Sequence, residues 1–409
     1  MTTILFAWEL GNSFGHISAM LPLALQLKQQ GLQVVFVVRD TNSAEQLLAP
    51  HEITWFQAPV SLHSRAPGQR PSHNYGEILL HCGYDNPVAL AGLIAGWQQL
   101  FALTKPALTV FEHSPTALLA SRGFAMRRVV AGLGFFVPPL ATPFPDLYAE
   151  SRIALDELLA SDQLALQNIN LAMARRRLPA LSALTDLFEA DRSWLWTFAE
   201  LDHYHQRPPC RYWGPQYVDD SGEAITWPEN GRKRIFIYLR PQINGFERLL
   251  SQLRLVECEA LVFAPGVAPH MIQRYHSPHI RFSTTLHNLS SLTGHCDLAV
   301  LYGGHGTMSI CLLAGIPMLL LPQYKEQRMA VQRVVELGAA LVIDRPAPSF
   351  DFAAMLREML ANPQYRAAAQ AFAQKYAGFR PEREAAIMAA EIASLLPAIT
   401  PSIDAKPAN

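Results

Sequence analysis

Short, nearly continuous apolar runs alternate along this chain with longer helical stretches, and glycine or proline marks most of the joins. In the first half, Thr3–Trp8, Gln33–Val38, Ile53–Gln57, Ala107–Phe111 and Arg127–Ala131 read as strands. Apolar runs without polar alternation are what strands buried on both faces require. Ile17–Gln30 reads as a helix, with Pro22 near its first turns and Gly31 as its stop. Asp146–Arg177 reads as long helical material and Ser193–Phe198 as a further strand. Proline and polar residues then cluster at Gln206–Pro215 and Asp219–Asn230. The apolar pattern restarts with strands at Arg234–Leu239, Ala260–Ala264, Leu298–Leu301, Met318–Leu321 and Ala340–Ile343. From Phe350 onward it is helical, ending in Glu382–Leu396 and a disordered-looking tail, Thr400–Asn409.

Repeated strand–helix–strand alternation implies right-handed crossovers and parallel sheets, hence an α/β chain with two Rossmann-like halves. At 409 residues the chain exceeds the roughly 250–300 at which a single core stops growing. The expected divisions are an N-terminal domain over 1–205, a linker over 206–231 and a C-terminal domain over 232–380. A C-terminal helix over 381–398 should pack back towards the first domain, followed by a flexible tail over 399–409. In such sheets ligands sit outside the carboxyl ends of the strands.

Composition narrows the function classes. Charged residues are 16% and hydrophobic residues 50%, against roughly 25% charged in typical globular domains. That balance suits large buried sheets, or a surface that meets an apolar small molecule. A formal net charge of −1 gives no electrostatic footprint for nucleic acid. Cys82, Cys210, Cys258, Cys296 and Cys311 are scattered without CxxC spacing, so they read as reduced, buried thiols of a cytoplasmic protein. The N-terminus reads as a strand and not as a signal peptide, and no uninterrupted apolar stretch of about 18 residues is present. The histidine pairs His203-x-His205 and His276-x-x-His279 read as surface or loop residues, with no metal-ligand spacing. No GxSxG elbow, P-loop or GxGxxG fingerprint occurs, so neither a hydrolase triad, a P-loop NTPase nor a nicotinamide enzyme is supported.

The most informative segment is Leu298–Pro322, where a strand runs into Gly303, Gly304, His305, Gly306 and Thr307 and a helix follows. Glycines let the backbone take positive φ and approach a ligand, and Thr307 is the candidate N-cap. A glycine loop feeding a helix start is a phosphate cradle, or else only a tight strand–helix junction. After Pro322 come Gln323-Tyr-Lys-Glu326-Gln327, a helix through Val331–Leu337 and a stop at Gly338. Between the first strand and first helix lies Glu9–Pro22, in which Gly11 and Gly15 bracket a loop and His16 stands at the helix mouth. A helix start favours neutral imidazole, the form a general base requires.

These segments resemble the UDP-glycosyltransferase-like family of the GT-B fold, which includes antibiotic, macrolide and plant natural-product glycosyltransferases. The matching positions are Gly303, Gly304, Gly306, Thr307, Gly315, Ile316, Pro317, Pro322, Glu326 and Gln327. The resemblance implies two Rossmann-like domains facing a central cleft. It implies an inverting, metal-independent transferase that moves a sugar from a UDP- or dTDP-sugar to a hydroxyl of a small, apolar acceptor, with no cofactor. It assigns His16 as the base, Gly303–Thr307 as the diphosphate site, and Glu326 and Gln327 as the holders of sugar hydroxyls. The acid that orients the base falls in Lys105–Pro115; Glu112 matches best, with His113 and Ser114 as alternatives. Three positions depart from the pattern: Tyr302 replaces a histidine on the diphosphate, Ile310 replaces a ribose-binding glutamate, and the Gly-Ser end of a strand reads Leu239-Arg240-Pro241. His305 is a candidate to compensate for Tyr302, and Arg240 reads equally as a phosphate contact or a solvated strand-end charge. A catalytically silent GT-B binding protein, or a sugar-nucleotide epimerase, remains the alternative. Monomer or homodimer, and peripheral membrane contact, stay open.

Overall fold

The computed structural model describes residues 2–12, 14–61, 71–148, 153–218, 222–285 and 287–396. The predicted tail at Thr400–Asn409 lies outside the described residues. The chain divides into two compact units, one formed by Met1–Gly132, Phe136–Leu195 and Glu382–Asn409, the other by Leu133–Phe135 and Trp196–Pro381.

The first unit is built on strands β1 (Thr3–Ala7), β2 (Gln33–Val38), β3 (Thr54–Gln57), β4 (Leu108–Glu112), β5 (Arg127–Gly132) and β6 (Arg192–Leu195). They form one sheet in the order β3-β2-β1-β4-β5-β6, with every pairing parallel. Its helices are α1 (Gly15–Gln29), α2 (Thr41–Leu48), α3 (Tyr75–Leu79), α4 (Pro87–Thr104), α5 (Pro115–Ser121) and α6 (Leu155–Arg175). Strand order reverses between β1 and β4, and this switch point is where a doubly wound sheet opens a crevice for ligand.

The second unit adds the short β7 (Glu223–Ala224), then β8 (Lys233–Tyr238), β9 (Cys258–Phe263), β10 (Ile280–Ser283), β11 (His287–Asn288), β12 (Leu298–Leu301), β13 (Met318–Leu320) and β14 (Ala340–Val342). Its main sheet runs β10-β9-β8-β12-β13-β14, again all parallel, so the switch point falls between β8 and β12. β7 pairs with β11 alone. The helices are α7 (Phe246–Leu253), α8 (Pro269–Tyr275), α9 (His305–Leu313), α10 (Lys325–Glu336), α11 (Phe352–Ala361) and α12 (Pro363–Lys375). Alternation along β8 serves two cores: Ile235 and Ile237 pack with the apolar faces of α7 and α11, while Phe236 packs with those of α9, α10 and α12. A last helix, α13 (Pro381–Leu395), is grouped with the first unit from Glu382 onward.

Several expectations need correction. The helix expected from Asp146 starts only at Leu155; Asp146 instead accepts the Tyr148 N–H in a turn, and residues 149–152 are outside the described set. Pro22 lies well inside α1, not near its first turns, because that helix already opens at Gly15. β10 was not predicted, since Ile280-Arg-Phe-Ser is short and carries a charge; its partner β9 supplies the pairing. One described helix, α4, is long and apolar enough by length and composition to cross a membrane. Its Leu90, Ile94, Trp97 and Phe101 are buried at the spacing of one helical stripe, as in a core helix. The thiols are free, but only Cys258, Cys296 and Cys311 are buried; Cys82 is half-buried and Cys210 exposed.

Gly214 shows how closely the second unit is packed. Its φ is +69°, and a Cβ there would stand 2.3 Å from the Phe379 ring, whereas Gly231 at φ +72° has open space around it. Gly214→Ala should therefore destabilise by roughly 2–4 kcal/mol through strain plus a clash, and Gly231→Ala by only about 1 kcal/mol. Calorimetric melting of both variants checks this; equal losses would contradict the packing described.

Candidate active site

In the first unit, the loop after β1 is held from three sides. Leu10 N–H donates to the His113 carbonyl at 3.1 Å, and Arg39, just beyond β2, donates to the Glu9 carbonyl at 3.0 Å and to Asn12 Oδ1 at 3.2 Å. The Glu9 carboxylate accepts the Trp97 indole N–H at 2.6 Å and the Thr116 amide N–H. Burial pushes the Glu9 carboxyl up to about 7 despite those bonds.

That loop delivers His16, the second residue of α1, to Glu112, the last residue of β4. His16 Nδ1 lies 2.9 and 2.8 Å from Glu112 Oε1 and Oε2, with His16 only 6% and Glu112 only 2% exposed. The His16 ring stacks on Trp8 at 4.8 Å and tilts against Phe136 at 5.2 Å. A neutral imidazole that donates through Nδ1 presents a bare, accepting Nε2. Gly11 makes this possible: its φ is +85°, and a Cβ there would stand 2.5 Å from His16 Nε2. Of the three candidates for the partner, only Glu112 hydrogen-bonds to His16; the His113 ring lies stacked beside it at 6.1 Å. Ser114 donates to the Glu112 carbonyl at 2.9 Å instead. His113 takes a left-handed φ of +43° and stacks on Phe136 at 4.1 Å, with both ring nitrogens buried and without a hydrogen bond. Burial holds its ring well below the usual histidine range, and the nearby His16 adds to this.

In the second unit, β12 ends at Leu301 and the chain turns through Gly303, the only one of the three loop glycines with positive φ (+90°). A Cβ at Gly303 would come within 2.7 Å of Val331 Cγ1, so this glycine lets the loop lie against α10. Helix α9 opens two residues before the predicted start. Gly304 is its N-cap, His305 its first residue, and Thr307 lies inside the first turn. Extended backbone at Gly304 (ψ 126°) caps without a side chain, which removes the need for a threonine cap. Met308 N–H closes the first turn on the Gly304 carbonyl, so the N–H groups of His305, Gly306 and Thr307 are free of intrahelical bonds. A Cβ on Gly306 would meet nothing within 4 Å, so that side of the helix start is open.

The charged groups expected around this cradle are distributed differently. His305 turns inward, 5% exposed, with Nε2 2.7 Å from Thr197 Oγ1. Burial drives its ring down to about 3, so it carries no charge with which to replace the histidine missing at Tyr302. Tyr302 contacts the Tyr238 ring edge-on at 5.0 Å, and burial raises its hydroxyl far above the usual range. Exposed Arg240 stands two residues past Tyr238, which pairs with Leu301, so it lies at the same end of the sheet as the glycine loop, and Glu326 is in the first turn of α10. Gln327 Oε1 accepts the N–H groups of Gln323 at 2.8 Å and Tyr324 at 3.3 Å, capping its own helix. Glu326 Oε1 lies 3.1 Å from Nε2 of His203. Far from being a surface residue, His203 is 3% exposed. Nothing in the sequence linked these two positions, which lie 123 residues apart.

Residues 247–391 match the family described as Erythromycin biosynthesis protein CIII-like, C-terminal domain. The similarity to that domain is confined to these residues, which run from the second unit into the start of the last helix. Glycosyltransferase GtfC of Amycolatopsis orientalis is 33% identical over 92 residues, which are 22% of this chain and 22% of that protein. The chain thus aligns with about a fifth of the length of the curated relatives it matches. Solved structures cover far more. The calicheamicin glycosyltransferase CalG4 aligns with 98% of this chain and 99% of its own at TM-score 0.71 and 15% identity. The spinosyn rhamnosyltransferase SpnG complexed with thymidine diphosphate covers 97% and 100% at TM-score 0.65 and 16% identity. The chain has the GT-B fold of these antibiotic glycosyltransferases, and the similarity expected around Leu298–Gly338 is found within residues 247–391.

The buried, neutral His305 ties stability to pH. An unfolded histidine binds a proton near pH 6.5, the folded one only near 3, so between these values the unfolded state holds more protons and stability falls as pH drops. His305→Gln should flatten this slope by up to one proton, about 1.4 kcal/mol per pH unit. Urea unfolding at pH 7, 6 and 5 measures it, and an unchanged slope would contradict the buried neutral ring.

Proposed function

We propose that this chain is an inverting, metal-independent glycosyltransferase that moves a sugar from a UDP- or dTDP-sugar to a hydroxyl of a small, apolar acceptor. The observation that carries this reading is the buried His16–Glu112 hydrogen bond, which leaves His16 Nε2 without a hydrogen-bonding partner among the described residues. A base needs that lone pair, and a carboxylate on the far nitrogen fixes the tautomer and stabilises the imidazolium that forms. The first unit holds the acceptor and the second the donor. His16 Nε2 takes the hydroxyl proton as the acceptor oxygen bonds to the anomeric carbon. The bond from that carbon to the diphosphate oxygen breaks from the opposite face, and the nucleoside diphosphate leaves with the electron pair.

The leaving diphosphate lies on the start of α9, against the N–H groups of His305, Gly306 and Thr307. Arg240 supplies the full positive charge that Tyr302 and His305 lack, and helix dipole and guanidinium together stabilise the charge that develops. Glu326 accepts from a sugar hydroxyl. Gln327 spends its oxygen on the α10 cap, which leaves its NH2 for the sugar. Similarity to glycosyltransferases of antibiotic biosynthesis and to a structure holding thymidine diphosphate supports the donor class. The free cysteines fit a cytoplasmic enzyme. The lack of a charged group inside the glycine loop is what favours the rival reading, a silent GT-B binding protein, and activity separates the two.

The test is transfer from UDP- and TDP-sugars to a panel of small phenols and aliphatic alcohols, run in excess EDTA. Wild type should turn over undiminished by chelation. His16→Ala should lose roughly 100-fold or more in transfer with donor affinity nearly unchanged. Wild-type rates in His16→Ala would remove His16 from the mechanism. Turnover that needs magnesium or manganese would place the chain in another class of transferase.

A further inference from the structure

Two histidine side chains buried in the second unit, His203 and His305, have no part in the mechanism above. His203 follows the short helical turn at Ala199–Leu201, and its side chain is fully buried. Nε2 lies 3.1 Å from Glu326 Oε1, while Nδ1 is buried without a hydrogen bond. A ring with an unpartnered Nδ1 places its proton on Nε2, where it donates to the carboxylate. The other nearby carboxylate is already committed: Asp202 accepts from Arg207, from the Tyr212 hydroxyl at 2.9 Å and from the Tyr204 N–H at 3.1 Å. Glu326 is therefore the partner left for His203.

The ring is clamped on its faces as well. Phe135 tilts against it at 5.8 Å, and His305 lies nearly parallel at 6.1 Å and 22°. His305 is the first residue of α9 and is pinned through Nε2 to Thr197. The stacked pair thus links the start of α9, where the diphosphate is read to lie, to the start of α10, where Glu326 stands. Glu326 keeps 22% of its side chain exposed; Oε1 is held by His203, and Oε2 has no hydrogen bond among the described residues.

We infer that His203 is a positioning residue for the donor sugar: it holds the Glu326 carboxylate in one rotamer so that its free oxygen accepts from a sugar hydroxyl. The inference rests on the reading of Glu326 as a sugar-binding group. A long carboxylate side chain left unheld would lose rotamer freedom on binding, and that cost would come out of donor affinity. An effect of this kind touches the sugar and leaves the diphosphate alone.

Calorimetric titration with UDP, TDP, UDP-glucose and TDP-glucose tests it on wild type, His203→Phe, His203→Gln, Glu326→Ala and the double variant His203→Phe/Glu326→Ala. Phenylalanine keeps the stacking and removes the donor; glutamine offers an N–H near the same place. For whichever nucleotide sugar wild type binds, His203→Phe should weaken affinity by about tenfold and leave the parent diphosphate within about twofold. His203→Gln should stay near wild type, and His203→Phe should add nothing to the loss in Glu326→Ala. An equal loss of diphosphate and nucleotide sugar in His203→Phe, no loss at all, or losses that add in the double variant would overturn the inference. Unchanged nucleotide-sugar affinity in Glu326→Ala would instead refute the sugar-binding reading of Glu326 on which it rests.

Discussion

A carboxylate buried at the end of a central strand needs a partner, and in the first unit that partner is the His16 imidazole. Leaving Glu112 ionised and alone would cost several kcal/mol, so the fold around it is arranged to bring His16 within 2.8 Å. That need explains local features that are otherwise unconnected. Helix α1 opens at Gly15 so that its second residue points at β4. Gly11 carries no side chain because a Cβ would fall on the imidazole. Glu9, Arg39 and the His113 carbonyl hold the connecting loop to three strands or helices at once. The pair sits at the switch point between β1 and β4, where the topology itself opens the sheet to a ligand.

In the function proposed above, the second unit meets a diphosphate with dipoles and one arginine. Of the groups packed behind the glycine loop, Tyr302 is a neutral phenol and His305 is kept neutral by burial, and their hydrogen bonds go to other protein groups. Their contribution is rigidity. The helix start they support presents oriented N–H groups, whose field needs no counter-charge in the core. Arg240 sits at the exposed strand end, where its own desolvation cost is small and a phosphate can still reach it.

Much of this was legible in the sequence, for identifiable reasons. β2 and β12 match the expected bounds because Val34–Val38 and Leu298–Leu301 are uninterrupted apolar runs with polar residues on either side. His16 stood out from its position at a strand-to-helix loop, and Glu112 from the strand that follows Pro106. What stayed hidden depended on packing between distant segments. Thr307 has the chemistry of a cap, but the backbone supplies one three residues earlier at Gly304. His305 carries a titratable ring whose charge is decided by burial, which no local pattern reveals. The bond between His203 and Glu326 joins two segments that share no motif, and a histidine two residues from another on a polar stretch resembles any surface pair.

The central claim is that Glu112 holds His16 with its proton on Nδ1 and its lone pair on Nε2. Nitrogen-15 NMR of histidine-labelled protein at neutral pH reads this directly, with His16→Gln used to assign the resonances. The account predicts a protonated Nδ1 and a bare, pyridine-like Nε2 for His16, with that preference lost in Glu112→Ala. A proton on Nε2, or a tautomer indifferent to the loss of Glu112, would contradict it.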